Sequence, residues 1–591
     1  MLLFLFLLVN ESDGQLCFIS LLIFSAGFFR MQKSEQRLSG ILFLGITILS
    51  YMLVNTVLAG IYGLIGVPIC VYTISLPVMI LGGILLAYSK NHVQEYVFSK
   101  NDKIVLCFLI VLTLCFWVGY FRCKLPIRYV SVDASVHCRW AKQIALQHTL
   151  NSNLFFGYVN DGLFMEALLT ITGINGFYHS FAFMRIVDFF LVGLLFYSLI
   201  RDLCVTRYQK IAGIVVTTFY IFGYPLYALM FGFVYFGDAV TIICLILLLL
   251  KMYETTELKH LCILILLNLG LFGIFTTYTM FVPSVFLGVF IDALVVQKKF
   301  GNKTISKESI VELFKVFIFP CVLGMAHAYV NLKEISSGGG ISNDGGKYFD
   351  LYSNFVLLAP FVLSSLIKRC KRHQFDGVFW MFVTTIAFTG LFLAGSWIGV
   401  VSTYYLSKMY NIIWLLCFVM MMEEIVELSR YNKEFMNAFA ACIFVLSVFV
   451  IVDDVDQKFS GNQEIKTGAN CFLNIYWFNG NFFLNQPFID NDEIALYQEC
   501  HDITESLADG EMLYVGDEIH ANWFKTFTNQ TEIEISGNSS IIQSRIIDGS
   551  YKYICVNSEL SEEEISELYE FGNIIYEYNN ELSSGKVIEV Y

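Results

Sequence analysis

The chain is short of charge, of proline and of paired cysteines, and each shortage excludes something. Only 15% of its 591 residues are charged while 57% are hydrophobic, far below the roughly 25% charged content of a soluble domain. A protein folded wholly in water is thereby excluded, and a mean hydropathy of +0.64 fits a chain that crosses a membrane many times. With eight prolines the apolar runs are left as uninterrupted helices, and 56 Phe and 33 Tyr supply rings for aromatic belts at the membrane surface. Sixteen cysteines are present, but no two form a CxxC pair and most lie inside apolar runs, so neither a zinc cage nor a disulfide framework is indicated. Cys123 and Cys138, which flank one polar segment, are expected as unpaired thiols. No basic block is dense enough to grip a nucleic acid, and no Gly-rich phosphate loop or Ser/His/Asp grouping stands out.

Charge is also unevenly placed. The net charge is −13, yet from Asp453 onward 26 acidic residues face 6 basic ones, leaving residues 1–452 at about +7. An α-helical polytopic membrane domain over 1–452 is expected, followed over 453–591 by a separate acidic α/β domain. In the tail Met512–Gly516, Glu532–Ile535, Tyr551–Val556, Asn573–Tyr578 and Lys586–Tyr591 read as strands, and Glu559–Phe571 as a capped helix. About fourteen apolar runs reach the roughly 20 residues needed to span the hydrocarbon. The connections at 30–38, 89–103, 201–210, 251–259, 297–310, 368–375 and 423–434 hold 21 basic residues, and the alternate short turns hold none. The positive-inside rule then places the former in the cytoplasm. The 122–177 segment, with interfacial helices, the Gly-rich flexible loop at 331–348 and the acidic domain are expected outside.

The stretch that orders the rest is Ser131-Val-Asp-Ala-Ser-Val-His-Cys-Arg-Trp-Ala-Lys-Gln-Ile-Ala-Leu-Gln-His-Thr-Leu150. Read as a helix from about Ala134, it sets Asp133, His137, Trp140, Ile144 and His148 on one face. A carboxylate and an imidazole stand one turn apart, beside the membrane. The bland reading makes Asp133 an N-cap and His137 a surface residue. Arg185 and Lys408 fall roughly 10–12 Å into their spans at 1.5 Å per residue, a depth at which charge is costly and marks function. Against this, Arg185 has Asp188 one turn on, and Lys408, preceded by Tyr404 and Tyr405, has headgroups to snorkel to. Asp238 opens a span and is a second candidate acid, with capping as its alternative. His327 reads as a ligand or as a buried, hydrogen-bonded histidine.

An external loop that carries an acid, an interfacial helix and many further spans resembles the GT-C superfamily of integral-membrane glycosyltransferases, in the form found in Gram-positive bacteria. Its local motif here is Val132-Asp133-Ala134-Ser-Val-His137 with the later Asn160-Asp161-Gly162. About four spans precede the loop, where that superfamily usually has one. The resemblance implies transfer of a sugar from a polyprenyl-phosphate donor, without further cofactor or metal, to a cell-surface glycan or lipid-linked acceptor on the external face of the cell membrane. It implies inversion at the anomeric carbon, with Asp133, His137 and Asp238 catalytic and Asp161, Arg139, Lys408, Tyr404, Tyr405, Arg185 and His327 binding substrate. The bilayer, the lipid-linked sugar, its synthase and a flippase are the partners implied. The alternatives are a transporter or flippase of polysaccharide precursors, for which an internal repeat with broken helices is wanting, and a polysaccharide polymerase, for which Arg-rich external loops are wanting.

Overall fold

A computed structural model describes residues 12–31, 38–88, 96–122, 127–128, 132–150, 155–172, 175–255, 260–300, 307–337, 355, 358–431, 475–476, 479–480, 483, 489–535, 539–549, 551–557, 571–580 and 583–591. The membrane part holds α1 (Ser12–Met31), α2 (Gly40–Ile65), α3 (Val71–Tyr88), α4 (Lys100–Phe116), α5 (Asp133–Gln147), α6 (Phe156–Thr172), α7 (Asn175–Ile200), α8 (Arg207–Phe222) and α9 (Tyr224–Met230). It continues with α10 (Val234–Thr255), α11 (His260–Thr277), α12 (Val282–Phe300), α13 (Lys307–Ser337), α14 (Ala359–Arg372), α15 (Gly377–Trp397), α16 (Thr403–Lys408) and α17 (Tyr410–Tyr431).

Eight described helices are long and apolar enough to cross a membrane, and three shorter apolar ones lie at Leu261–Thr277, Thr279–Val295 and Leu313–Tyr329. The run expected at 435–452 lies outside the described residues, as does 338–348 of the Gly-rich stretch, whose first residues continue α13 as far as Ser337. The apolar run expected at 400–422 is broken: α16 ends at Lys408 and α17 starts at Tyr410. Helices α7 and α10 are enclosed nearly all round, whereas α1, α3, α4 and α15 turn most of their surface outward. Local signals set several ends. Ser99 and Asp102 form a capping box at the start of α4, as Thr206 and Gln209 do for α8, each satisfying two orphan backbone donors.

The C-terminal part holds α18 (Asn491–Thr504), α19 (Glu518–Thr528) and α20 (Ser539–Asp548) on a sheet of β3 (Met512–Val515), β4 (Ile533–Glu534), β5 (Tyr553–Asn557), β6 (Gly572–Asn579) and β7 (Ser584–Val590). A two-residue pair, β1 (Leu38–Ser39) and β2 (Tyr96–Val97), lies in the membrane part. The sheet order is β4-β3-β5-β7-β6, with β4, β3 and β5 parallel and β7 antiparallel to both neighbours. All four β3 residues are buried, which is why its sequence is an unbroken apolar run; the edge strand β6 is exposed over most of its length. Each of the five expected strands is present, while the helix expected at 559–571 falls almost wholly outside the described residues. This domain docks on the membrane part. Tyr476 and Asn479 donate to backbone carbonyls of Phe219, Phe222 and Gly223, and Arg128 reaches the Phe483 carbonyl at 2.7 Å.

Candidate functional site

Helix α5 starts at Asp133 itself. Its N-cap is Val132, which has no capping side chain, and the Asp133 carboxylate accepts no hydrogen bond from a described residue, so it is not spent as a cap. His148, expected on the same face, instead ends the helix in the left-handed region (φ 56°), its N–H bonded to the Ile144 carbonyl. His137 is not a surface residue. It is 5% exposed, stacked on Tyr158 with ring centroids 5.5 Å apart and edge-on to Trp140 and Tyr235.

Tyr158 Oη lies 2.5 Å from His137 Nδ1. The phenol has no other hydrogen-bond partner among the described residues; where it donates to Nδ1, the imidazole proton sits on Nε2. That Nε2 is buried and has no hydrogen-bond partner among the described residues. Burial, with the positive charges of Arg185 and Lys408, holds the imidazole down to about 3, so it is neutral in any physiological medium. Burial likewise raises the Asp133 carboxyl above its usual range, and the Lys408 ammonium pulls it back.

Lys408 does not snorkel. It is 5% exposed, and its Nζ lies 3.7, 4.2 and 4.5 Å from the ring centroids of Tyr404, Phe236 and Phe233. Such a cage holds a cation by the negative faces of the rings where water is scarce. Tyr405 sits beside Tyr404 with centroids 5.4 Å apart. Lys408 stands at the break between α16 and α17, within electrostatic reach of Asp133 at the start of α5.

Behind these residues lies a second charged layer. The Nη2 of Arg185 meets both oxygens of Asp161 at 2.8 Å, and its Nε lies 3.0 Å from Asp188 Oδ2. The Asp188 pair expected from spacing is thus present, with Asp161 joined to it across 24 residues of sequence. Arg185 and Asp161 are each 1% exposed and pair with one another inside the protein. Asp238 is not a cap either: α10 begins four residues earlier, at Val234, and the side chain is 4% exposed, its Oδ2 without a hydrogen-bond partner among the described residues. Helix α6 makes room for it at Gly157, where a Cβ would stand 2.7 Å from that oxygen. One turn on, α6 carries Asp161, and Tyr158 between them stands within electrostatic reach of Asp133, Asp161 and Asp238.

The polar residues that interrupt 153–177 therefore point inward. Asn160 bonds the Met52 carbonyl, Thr56 and Asn55 of α2, and α6 is buried over Phe156–Leu163. Two candidates stand apart. His327 is a packing histidine, its Nε2 2.9 Å from the Gly60 carbonyl and its ring against Phe155. Arg139 is half-buried and bonds no described residue, on a different face of α5 from Asp133. Tyr158, Phe233, Tyr235 and Phe236 were not singled out from the sequence. Only the one-turn spacing of Tyr158 and Asp161 hinted at the first. Cys138 is a free, buried thiol, and Cys123 lies outside the described residues. Among the described residues no three His, Cys, Asp or Glu side chains are grouped to hold a metal ion.

A cavity of about 580 Å³ lies at the other end of α17, lined by Lys368, Arg369, Arg372, Glu423, Glu424 and Glu427 among others. Each cation there already has its own carboxylate, with Lys368 on Glu424, Arg372 on Glu427, and Arg369 on both Asp376 and Glu423. None of the residues singled out from the sequence lies in it.

No family model matches the chain, and no curated protein matches it by sequence. Among solved structures it is similar to the crystal structure of ArnT from Cupriavidus metallidurans bound to undecaprenyl phosphate, with a TM-score of 0.47 and 10% identity over 83% of this chain and 98% of that one. It is also similar to the oligosaccharyltransferase AglB from Archaeoglobus fulgidus in complex with an inhibitory peptide and a dolichol-phosphate, with a TM-score of 0.43 and 11% identity over 83% of this chain and 74% of that one.

Proposed function

We propose that this chain is a GT-C-type glycosyltransferase that moves a sugar from a polyprenyl-phosphate donor to a cell-surface glycan or lipid-linked acceptor, on the external face of the membrane. The observation that carries the reading is the pairing at the mouth of α5. Asp133, a carboxylate with no hydrogen-bond partner among the described residues, lies within electrostatic reach of Lys408, an amine caged by aromatic rings. That is the pair a single displacement at an anomeric carbon needs, a base on one side and a counter-charge for phosphate on the other.

The step is balanced without a covalent enzyme intermediate. The acceptor oxygen gives its proton to the Asp133 carboxylate and bonds to the anomeric carbon. The bond from that carbon to the phosphate oxygen breaks, and the electron pair leaves with the lipid phosphate, whose added charge faces Lys408. Attack opposite the leaving group inverts the anomeric centre. The neutral His137, its free Nε2–H fixed by Tyr158, offers a hydrogen bond to the phosphate or the acceptor hydroxyl. Arg185 with Asp161 and Asp188 holds α6 and α7 in register behind the site.

The test is the purified protein in lipid nanodiscs, given a polyprenyl-phosphate sugar and membrane extract as acceptor. Asp133→Asn should abolish sugar transfer while the variant still binds polyprenyl phosphate. Full transfer by Asp133→Asn, or flipping of the lipid-linked sugar without transfer in the native protein, overturns the reading.

A further inference from the structure

The face of α5 opposite Asp133 and His137 carries Ser135, Cys138 and Lys142, a stripe at i, i+3 and i+7. A buried lysine is out of place on it. Lys142 is 2% exposed, and among the described residues no carboxylate lies within ion-pair distance. Its Nζ instead donates to the Thr526 and Phe527 carbonyls at 2.9 and 3.1 Å, with the Phe177 ring centroid 5.4 Å away. Those carbonyls are in the last turn of α19 in the C-terminal domain, where backbone acceptors lack helical partners and the helix dipole is negative.

A second bond repeats the contact, from Thr526 Oγ1 to the Ser135 carbonyl at 3.0 Å. Trp523, fully buried, packs edge-on to Tyr178 of α7 at 5.5 Å. The void left between these surfaces is only about 10 Å³, at most room for one water. The charge on Lys142 is thus met by the C-terminal domain, and α5 is clamped between α19 on one face and the site on the other.

We infer that the C-terminal domain is part of the transfer machinery rather than an appendage, and that Lys142 is the positioning residue through which α19 sets α5, and with it Asp133 and His137. The inference rests on the glycosyltransferase reading for its catalytic arm, but its structural arm is independent of it. A small displacement of a base relative to its substrate costs about a hundredfold in rate, so loss of the clamp should lower kcat and leave donor binding alone.

The experiment compares the full chain with Lys142→Met and Lys142→Arg in nanodiscs, by hydrogen–deuterium exchange over 133–147 and by transfer kinetics. In Lys142→Met, exchange in α5 should rise about tenfold, and kcat should fall by about tenfold to a hundredfold with KM for the lipid donor within about twofold of native. Lys142→Arg, which keeps the donors, should recover most of both. Thr526→Val, which removes one bond and keeps every charge, serves if Lys142→Met does not fold, and should show the same split on a smaller scale. Native exchange in α5 with native kcat in Lys142→Met, or in Thr526→Val where that stands in for it, overturns the inference; so does a rise in KM alone. Were Asp133→Asn to retain transfer, the function would be wrong while the exchange result still decided the clamp.

Discussion

Replacing Arg185 by Met is the perturbation whose size the structure fixes best. The guanidinium is 1% exposed and bonds both oxygens of Asp161 at 2.8 Å, with Asp188 Oδ2 at 3.0 Å. Asp238 lies in the same electrostatic neighbourhood, with one oxygen lacking a hydrogen-bond partner among the described residues. Two buried carboxylates therefore pair with one cation, and a third lies within its electrostatic reach. Met keeps the length and the contact with Phe181, so the loss is electrostatic rather than a cavity. Removing one partner of a buried pair costs about 3–5 kcal/mol, because the other charge stays buried without compensation. That is roughly a hundredfold to a few thousandfold in the folding equilibrium. The assay is reversible unfolding in mixed micelles, followed by tryptophan fluorescence, for Arg185→Met, Asp161→Asn and the double variant. Asp161→Asn in the Arg185→Met background should recover about 0.5–3 kcal/mol, the coupling expected of neighbours in one network. If Arg185→Met unfolds within about 1 kcal/mol of native, the cluster is not held as described.

Two further outcomes follow from the first layer of the site. Asp133 acts as a base only when ionised, and burial raises it, so the acid limb of the transfer rate should lie above the ordinary carboxylate value of about 3.9. Lys408 favours the charged form, so Lys408→Met should move that limb to higher pH as well as slow the reaction; a limb that stays in place or moves down contradicts the pairing. Tyr158→Phe removes the donor to His137 Nδ1, leaving a buried acceptor unbonded at a cost of about 1–3 kcal/mol. The variant should lose that stability in a denaturant titration and lose transfer rate, and a variant as stable and as active as native would show the bond to be idle.

The parts of the chain that could be read in advance are those where local pattern decides. Asp133 and His137 stand one turn apart on a helix because spacing sets that wherever a helix forms, and the five tail strands are apolar runs cut by turn residues. The Arg185–Asp188 pair was legible for the same reason. What escaped depends on contacts far apart in sequence. Nothing near Asp161 announces that its partner is Arg185, and nothing near Lys408 announces the rings of Phe233 and Phe236, over 170 residues away. Capping stood as the alternative for Asp238, a candidate acid, only because α10 is expected from the sequence to start later than Val234. Lys142 passed unnoticed in a segment read for its other face, although a lysine between Cys138 and Ala145 on a buried stripe was a signal.

The most direct test of the account is a cryo-EM map of the protein in a nanodisc with polyprenyl phosphate. The account predicts phosphate density within about 4 Å of Lys408 Nζ, the reach of an ion pair, on the Asp133 side of the aromatic cage. A lipid phosphate bound instead among Lys368, Arg369 and Arg372, at the other end of α17, contradicts it.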